Sequence, residues 1–590
     1  MRAAGDGAMR FLLAATVAVA LCCDGALAAQ EAAAPVSPRQ VAAGHLRRAR
    51  EHGKASCEML RQHRRQAVDG YYVSCEEAWN AVWTCPESAE VLAQAAEVYA
   101  DSLAGLFEAA RCHGRLTPDG LWIGTATKPV LVPWQPKALP IEPGMIASIE
   151  PEGQADDARI TRRHVRPGFG LPVVVRVAAN RAADPLRQFA PQRQSLAATA
   201  VLRFRMPGAE NFLQTFAGPV YRDHAAAVLD LANPVEIAAV HIGPAKPHLA
   251  ADLTAPLLDM LAGMPKTGGI EGFIQPFGRG DTQPRLEILE PHRPGRIPVV
   301  FIHGLASDEG TWFDMLNELR GWPVFHRRFE PWVFHYPTGA SFLQVSAVLR
   351  RELQAAVRAA DPQGRDPALG KVVLVGHSMG GLHAKLQVVE PGTALWDAIA
   401  DVPFAEIRLR PKTRQLVAPG YFFHPLPFVN RVVFIATPHR GSVLAALGVG
   451  RLASLTVRQP PEMEAIHAEA VRLNPGAFHP DYERRLPTSV DLLRPSSSIL
   501  QAVERLRPPC WVTTHAVVGV AHHSLAGGDD CVVPAASAHT AGAVSEITVP
   551  ASHTRVHHHP QTIGEVQRIL LQHLRECGVA PEGVAGAAVP

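Results

Sequence analysis

The chain has 590 residues, which is more than one hydrophobic core normally serves, so two or three domains are expected. Hydrophobic residues make up 47% of the chain and charged residues 19%, values that are ordinary for a globular protein. The formal net charge is +2, so nothing in the composition indicates a nucleic-acid partner or an acidic polymer as partner.

Residues 1–29 have the pattern of an export signal. Arginines precede an apolar core at 11–23, and a small-x-small cleavage site follows at 26–28. The apolar run is shorter than the roughly 20 residues of a membrane span, and no other stretch approaches that length. We therefore expect an exported, periplasmic or secreted protein without a transmembrane span. Lipidation at Cys22-Cys23 is less favoured because the bulky Leu21 precedes the pair.

Cysteines are concentrated in one helical-looking segment, which contains Cys57, Cys75, Cys85 and Cys112. Export permits disulfides, so we predict bridges among these four residues. Their connectivity stays open because four cysteines allow three pairings. A metal site is the weaker alternative because no C-x-x-C pair occurs.

Three regions precede the C-terminal half of the chain. Residues 30–44 are rich in Ala, Pro and Ser and are predicted to be a linker. Residues 45–115 carry apolar residues at helical spacing, for example Val91 and Ala95, which predicts a packed helical hairpin or small bundle. Residues 116–284 alternate short apolar runs with turn residues, which predicts an antiparallel β-rich domain of unknown role.

Residues 285–577 alternate between strand-like and helix-like patterns. The predicted strands are 298–302, 332–336, 372–375, 432–435, 511–518 and 546–549. The predicted helices are 308–320, 342–359, 382–390 and 560–575. Alternating βα units imply an α/β fold with a mostly parallel sheet and helices on both faces. Inserts at 392–428 and 443–495 interrupt the alternation, and the tail at 578–590 is expected to be disordered.

The most informative stretch is V-V-L-V-G-H-S-M-G-G-L, at residues 372–382. An apolar, β-branched run leads into a G-x-S-x-G motif around Ser378, and helical apolar spacing follows. A serine on such a strand-to-helix turn sits at strained backbone angles with the neighbouring chain close by. Gly376 and Gly380 suit this crowding because neither has a Cβ. The pattern predicts a nucleophile elbow that exposes the Ser378 hydroxyl above the sheet.

Acyl transfer by a serine also needs a base, a group that orients the base, and donors for the oxyanion. On an open parallel sheet these groups come from loops at the carboxyl ends of strands. The sequence F-I-H-G-L ends the first predicted strand, so we expect the amides of Leu305 and Met379 to be the donors. Gly304 would let this loop approach closely. We favour a loop-bracing role over a catalytic role for His303.

The acid and the base are expected on the last two of these loops. G-G-D-D-C-V-V-P contains adjacent carboxylates, of which we prefer Asp530 and interpret Asp529 as a turn former. S-H-T-R-V-H-H-H-P follows the last strand, where His553 is the preferred base and His557 the alternative. Histidines 557–559 fit the entry to a helix that begins at Pro560. Metal binding by them is less favoured because no acidic or cysteine ligand accompanies them at fixed spacing.

Taken together, the motifs between about 297 and 577 resemble those of bacterial α/β-hydrolases of the lipase and esterase kind. These motifs are F-I-H-G-L, G-H-S-M-G-G-L, F-I-A-T-P-H-R-G-S, D-C-V-V-P and S-H-T-R-V-H-H-H-P. The resemblance implies an α/β-hydrolase fold and a Ser378, Asp530, His553 triad in the expected chain order. The family acid usually begins an Asp-Gly-Val-Val-Pro string, so it falls on Asp530, and Cys531 replaces the glycine. The family histidine precedes a proline by seven residues, as His553 precedes Pro560.

Other residues and the inserts complete the expected site. His377 and His439 are expected to support the site without taking part in the chemistry. The inserts fall where such enzymes carry a cap or lid. Apolar residues such as Leu444 and Met463 fit either a mobile lid or a fixed cap. No nucleotide-binding glycine pattern occurs in a credible context, and we expect no cofactor and no metal.

The expected function is hydrolysis of a carboxylic ester or lipid, as in a lipase or esterase, for which a lipid interface is one setting. A phospholipid deacylase, thioesterase, amidase or acyltransferase could use the same triad, because the fold does not decide specificity. A non-catalytic binding or scaffold protein with an inert hydrolase half is the alternative from another class. The sequence leaves the oligomeric state open.

Overall fold

The structure, a computed structural model, describes residues 36–117, 119–125, 127–151, 157, 160–178, 184–204, 227–263, 283–305, 307, 309–442, 461–521 and 528–578. The predicted export signal lies outside these residues, as do the first part of the second insert, including Leu444, and the tail after Gly578.

The helices are α1 (Pro38–Arg61), α2 (Gln66–Thr84), α3 (Ala89–Cys112), α4 (Ala255–Ala262), α5 (Phe313–Arg320), α6 (Pro323–Arg328), α7 (Phe342–Ala360), α8 (Met379–Lys385), α9 (Ala394–Asp397), α10 (Pro411–Tyr421), α11 (Pro461–Leu473), α12 (Pro480–Arg484), α13 (Ser489–Leu492), α14 (Ser498–Arg505), α15 (Ala535–Ala538) and α16 (Pro560–Glu576). The strands are β1 (Leu116–Thr117), β2 (Gly120–Thr125), β3 (Lys128–Lys137), β4 (Ile146–Pro151), β5 (Val165–Arg166), β6 (Leu171–Val177), β7 (Ser195–Phe204), β8 (Ala227–Ala232), β9 (Ala251–Asp252), β10 (Arg285–Ile288), β11 (Ile297–Ile302), β12 (Phe329–His335), β13 (Val372–His377), β14 (Val429–Ile435), β15 (Thr513–Gly519) and β16 (Ser545–Val549).

The first part of the chain is a three-helix layer on a β-sheet. Helices α1 to α3 share one apolar core with a seven-stranded sheet of order β1-β2-β3-β8-β7-β6-β4. Its strand pairs are antiparallel except for β3 and β8, which are parallel. Tyr99 of α3 links the helical layer to the sheet, because its hydroxyl donates a hydrogen bond to the Leu202 carbonyl of β7 at 2.7 Å.

Two expectations for this part of the chain are wrong. Helix α1 begins at Pro38, inside the segment 30–44 that was predicted to be a linker. The reason is local: Ser37 and Gln40 form a capping box, and proline is well suited to the first helical position. The predicted disulfides are also not formed, because all four cysteines of α1 to α3 and their connections are free thiols. Cys75 is fully buried in the apolar core, whereas Cys112 is exposed at the end of α3.

The C-terminal part contains a second seven-stranded sheet, of order β10-β12-β11-β13-β14-β15-β16. Its strands are parallel except for β10, which pairs antiparallel with β12 at the edge. All six strands predicted from the sequence are present with shifted ends, whereas β10 was not predicted. This sheet and its helices confirm an α/β arrangement.

Helices cover both faces of this parallel sheet. Consecutive residues of β13, such as Leu374 and Val375, belong to different apolar clusters because successive side chains of a strand point to opposite faces of the sheet. One cluster includes α7 and α8, and the other includes α5 and α16. Strands buried on both faces explain the continuous apolar runs in the sequence.

Polar contacts join the two parts of the chain through one face of α5. The Asp314 carboxylate accepts hydrogen bonds from the amide and the hydroxyl of Thr161, both at 2.9 Å. One turn further, Asn317 donates to the Arg162 carbonyl at 2.6 Å. Asp314 and Asn317 are both buried, so these bonds lie inside the molecule and not at its rim.

Candidate active site

Ser378 lies between β13 and α8 with φ +54° and ψ −126°, a conformation that L-residues rarely adopt. Its amide donates to the Ile435 carbonyl of the neighbouring strand at 2.8 Å. The turn is too tight for larger residues, because a Cβ at Gly376 would lie 2.5 Å from Gly381 backbone atoms. The backbone here has the strained, crowded shape that the motif predicted.

Gly380 lies against the backbone of the neighbouring strand end, which gives a prediction about stability. A Cβ there would overlap the Ile302 carbonyl and lie 2.5 Å from the His303 carbonyl oxygen. Both obstacles are backbone atoms, so we expect Gly380→Ala to lower the free energy of unfolding by about 3 kcal/mol. Urea denaturation measures this effect. The control is Gly564→Ala in α16, where a Cβ meets nothing within 4 Å. This variant should be more stable than the wild type by about 0.5–1 kcal/mol, because alanine favours a helix more than glycine does.

Three side chains from different loops form a continuous hydrogen-bonded series. His553 Nε2 lies 2.8 Å from Ser378 Oγ, and His553 Nδ1 lies 2.7 Å from Asp530 Oδ2. The other oxygen of Asp530 accepts the amides of Val532 and Val533 at 3.0 and 2.7 Å. Asp530 is 1% exposed. An ionised carboxylate held this way can fix one tautomer and one orientation of the histidine.

The contacts in the structure distinguish between the two candidate acids and between the two candidate bases. Asp529 accepts the Cys531 amide at 2.9 Å in a local turn, and Asp530 is the carboxylate bonded to His553. The His557 ring is buried against the His377 ring, with 4.3 Å between centroids, and it is His553 that contacts Ser378. The geometry thus brings together Ser378, His553 and Asp530.

Cys531 has φ +76°, the left-handed region that favours the glycine found here in the resembling family. Its side chain is exposed, so little packing depends on it. We expect Cys531→Gly to raise the free energy of unfolding by about 1 kcal/mol through relief of this strain. Cys510 is an exposed cysteine outside the positive-φ residues, and Cys510→Gly should give no gain. Equal shifts in the two variants in urea denaturation would contradict this explanation.

The amides of Leu305 and Met379 are available as donors near Ser378. Neither has a hydrogen-bond acceptor among the residues that the structure describes. Gly304 brings the loop of Leu305 against the serine, because a Cβ at Gly304 would lie 2.8 Å from Ser378 Cβ. Two unpaired amides beside a nucleophile are the arrangement that stabilises an oxyanion.

His303 and His377 brace the loops around these groups. The His303 ring stacks on Tyr336 with 4.3 Å between centroids, and its carbonyl accepts the Tyr336 hydroxyl at 2.7 Å. His377 Nε2–H donates to the His553 carbonyl at 3.0 Å. Burial, together with the nearby His553, lowers the pKa of His377 well below its ordinary value, so the ring stays neutral and keeps its Nδ1 unprotonated.

His439 lies away from the triad. Its Nε2 pairs with the Thr540 hydroxyl at 2.9 Å, and its ring packs edge-on against Phe434. The sequence interpretation missed the bracing role of Tyr336. The available signal was its position at the carboxyl end of the predicted strand 332–336, where residues that shape a site are expected.

The two inserts pack against each other beside the sheet. Helices α9 and α10 of the first insert and α11 of the second surround an apolar cavity of about 40 Å³. Its lining includes Trp396, Val417, Met463 and Ile466. This contact fits a cap that the two inserts form together.

In the described ranges given above, none of the helices is long and apolar enough to cross a membrane. In the same ranges, no group of three or more His, Cys, Asp or Glu side chains has the geometry to hold a metal ion.

Comparison with family models and with curated protein sequences gives no match. Among solved structures, the chain is similar to the mature Bacillus licheniformis lipase BlEst2, at 17% identity over 47% of this chain and 93% of that chain, with a TM-score of 0.29. It is similar to the butyrate-bound thermophilic esterase Est2 from Thermogutta terrifontis, at 16% identity over 54% of this chain and 98% of that chain, with a TM-score of 0.28. The metagenomic carboxyl esterase MGS0156 matches at 17% identity over 49% of this chain and 81% of that chain, with a TM-score of 0.27. Each of these similarities covers about half of this chain and is therefore partial.

Proposed function

We propose that this protein is an exported serine hydrolase that cleaves carboxylic esters through Ser378, His553 and Asp530. The observation that carries the proposal is the series of hydrogen bonds from Ser378 Oγ through the His553 ring to Asp530 Oδ2. The strained turn at Ser378 and the two unpaired amides beside it support the same chemistry. The signal-like pattern of residues 1–29 supports export.

In this proposal each group has one task. His553 Nε2 accepts the Ser378 proton as the oxygen attacks the ester carbonyl carbon. The oxyanion of the tetrahedral intermediate binds the amides of Leu305 and Met379, and Asp530 stabilises the imidazolium that has formed. The His553 proton then passes to the departing alkoxide. Water, deprotonated by the same histidine, hydrolyses the acyl-enzyme and returns the serine.

The experiment compares wild type and Ser378→Ala on p-nitrophenyl esters from acetate to palmitate. We expect hydrolysis by the wild type and a loss of at least about 10³-fold in turnover by the variant. Rates that rise toward long acyl chains would favour a lipase, and rates confined to short chains would favour an esterase with a fixed cap. A variant that kept full turnover would exclude Ser378 as the nucleophile.

A serine-directed phosphonate separates this proposal from an inert hydrolase half. The wild type should be labelled at Ser378 alone, and the alanine variant should not be labelled, because the reagent needs an activated serine and an oxyanion site. Urea denaturation of both proteins verifies that the variant is folded. A folded wild type that resists labelling and hydrolyses no ester would favour the scaffold alternative.

A further inference from the structure

A small pocket lined by cationic side chains opens at the surface beside the T-P-H-R-G-S segment. Its cavity has a volume of about 30 Å³. The residues of its floor are buried: Lys385, His439, Phe434 and Thr514. The residues of its rim are more exposed and include Arg440, Arg507 and His539. None of these residues takes part in the hydrolysis proposed above.

Three cationic groups of this pocket contact the same residue, Glu504. The ammonium of Lys385 and the guanidinium of Arg507 both donate to the backbone carbonyl of Glu504, at 3.1 and 2.8 Å. Arg440 Nε lies 3.3 Å from the Glu504 side chain. Within the described part of the chain, neither Lys385 nor Arg507 forms an ion pair with a carboxylate. Lys385, Arg440 and Arg507 with the single carboxylate of Glu504 have a formal net charge of +2.

Part of this arrangement has a structural explanation. Glu504 lies in the last turn of α14, where backbone carbonyls lack helical partners and attract cations. The partial charge of a helix end, about half an elementary charge, offsets only part of the excess. Lys385 is 6% exposed, and a buried ammonium normally has a charged partner. Burial and the neighbouring Arg507 lower the pKa of Lys385 to about 8, and the Glu504 carboxylate, which acts in the raising direction, offsets only part of this shift.

We propose that this pocket binds a small oxyanion, a phosphate or carboxylate group, between the Lys385 ammonium and the guanidinium groups of Arg440 and Arg507. The cavity has room for two or three water molecules, or for one such anion in their place. Arginine forks and a lysine ammonium are the usual donors to these groups. His439 is not a further charge there, because burial lowers its pKa well below the ordinary value.

Isothermal calorimetry with sodium phosphate, at constant ionic strength, tests the site. Wild type is expected to bind phosphate saturably, and Arg507→Gln is expected to weaken binding about tenfold or more, since one charged donor is lost. Arg505→Gln, at a neighbouring exposed arginine outside the pocket, should bind like the wild type. Parallel titrations with acetate and chloride show whether the site takes phosphate, carboxylate or any small anion.

Ser378→Ala distinguishes this site from the triad and should bind phosphate as the wild type does. Binding that disappears in Ser378→Ala, that is equal in Arg505→Gln and Arg507→Gln, or that is absent in the wild type would overturn the proposal. Because Arg507 is exposed, its variant is expected to fold. The outcome does not depend on ester hydrolysis by the protein.

The reactivity of Lys385 gives a second readout without any substitution. At pH 8 a fraction of this side chain is a neutral amine and can be acylated by a small amine-directed reagent. A bound oxyanion favours the ammonium and raises its pKa, so phosphate should slow modification of Lys385 about fivefold or more. Lys371 and Lys412 lie outside the pocket and are internal controls in the same mass spectra. Equal slowing of all three lysines would contradict a bound anion at Lys385.

Discussion

Replacing Asp530 by asparagine is expected to reduce turnover by about 10⁴-fold while the protein stays folded. Asp530 Oδ2 accepts the proton on His553 Nδ1, which leaves His553 Nε2 free to take the Ser378 proton. The asparagine NH2 group can donate a hydrogen bond to an unprotonated His553 Nδ1 and so favour the wrong tautomer. Steady-state kinetics on a p-nitrophenyl ester measure the loss, which should fall on kcat more than on KM.

Asp529→Asn is the matched control for this prediction. The two carboxylates are adjacent in sequence and both are buried. Among the described residues, the Asp529 carboxylate accepts the Cys531 amide of its own turn, and an asparagine side chain can also accept that bond. We expect this variant to keep most of its activity. A larger loss in Asp529→Asn than in Asp530→Asn would reverse the assignment of the acid.

The second large effect is a loss of stability in mild acid. Burial lowers the pKa of His326 and His383 to about 3 and that of His515 and His573 to about 4. Unfolding restores these side chains to a pKa near 6.5, so below that pH the unfolded chain binds more protons than the folded one. Stability is therefore fully present above about pH 6.5 and is lost as the pH falls toward 4.

Between pH 7.5 and pH 5.5 the free energy of unfolding is expected to fall by about 1.4 kcal/mol for each histidine, or about 5.5 kcal/mol for the four together, because the unfolded histidines titrate near pH 6.5. Urea denaturation at pH 7.5, 6.5 and 5.5 measures this loss. His383→Gln should make the loss smaller by about 1.4 kcal/mol, since a glutamine at that position does not titrate. A free energy of unfolding that is unchanged between pH 7.5 and 5.5 would contradict the neutral burial of these histidines.

The parallel sheet and the loops at its strand ends were the features that local sequence motifs predicted best. The elbow, the strand ends and the loops with Ser378, Asp530 and His553 are each encoded within about ten residues, and parallel topology brings those ends to one edge. The structure places these three side chains in hydrogen-bond contact. Their catalytic role stays a prediction until the variants are measured.

Features that depend on distant partners were not accessible from the sequence. β10 is a four-residue edge strand that is defined by its antiparallel pairing with β12, a contact that the local sequence does not show. The parallel pair β3 and β8 is equally non-local. Cysteine spacing could not show that Cys75 faces an apolar core and that Cys112 faces solvent. Like Tyr336, α1 offered a local signal that was overlooked, in the S-P-R-Q sequence of its capping box.

The polar contacts on α5 have a consequence for how the molecule unfolds. Asp314 is held by Thr161 on one side, and on the other its second oxygen lies 3.6 Å from Nδ1 of His558, in the loop that carries His553. Separation of the two sheets would break the hydrogen bonds of the Asp314 carboxylate and the Asn317 amide, which contribute about 0.5–3 kcal/mol each. Heating should therefore melt both sheets in one cooperative transition, with enzyme activity and the circular dichroism of the first sheet lost at the same temperature. The N-terminal region would then belong to the same folding unit as the half that contains Ser378, and a separable accessory module would not show this behaviour.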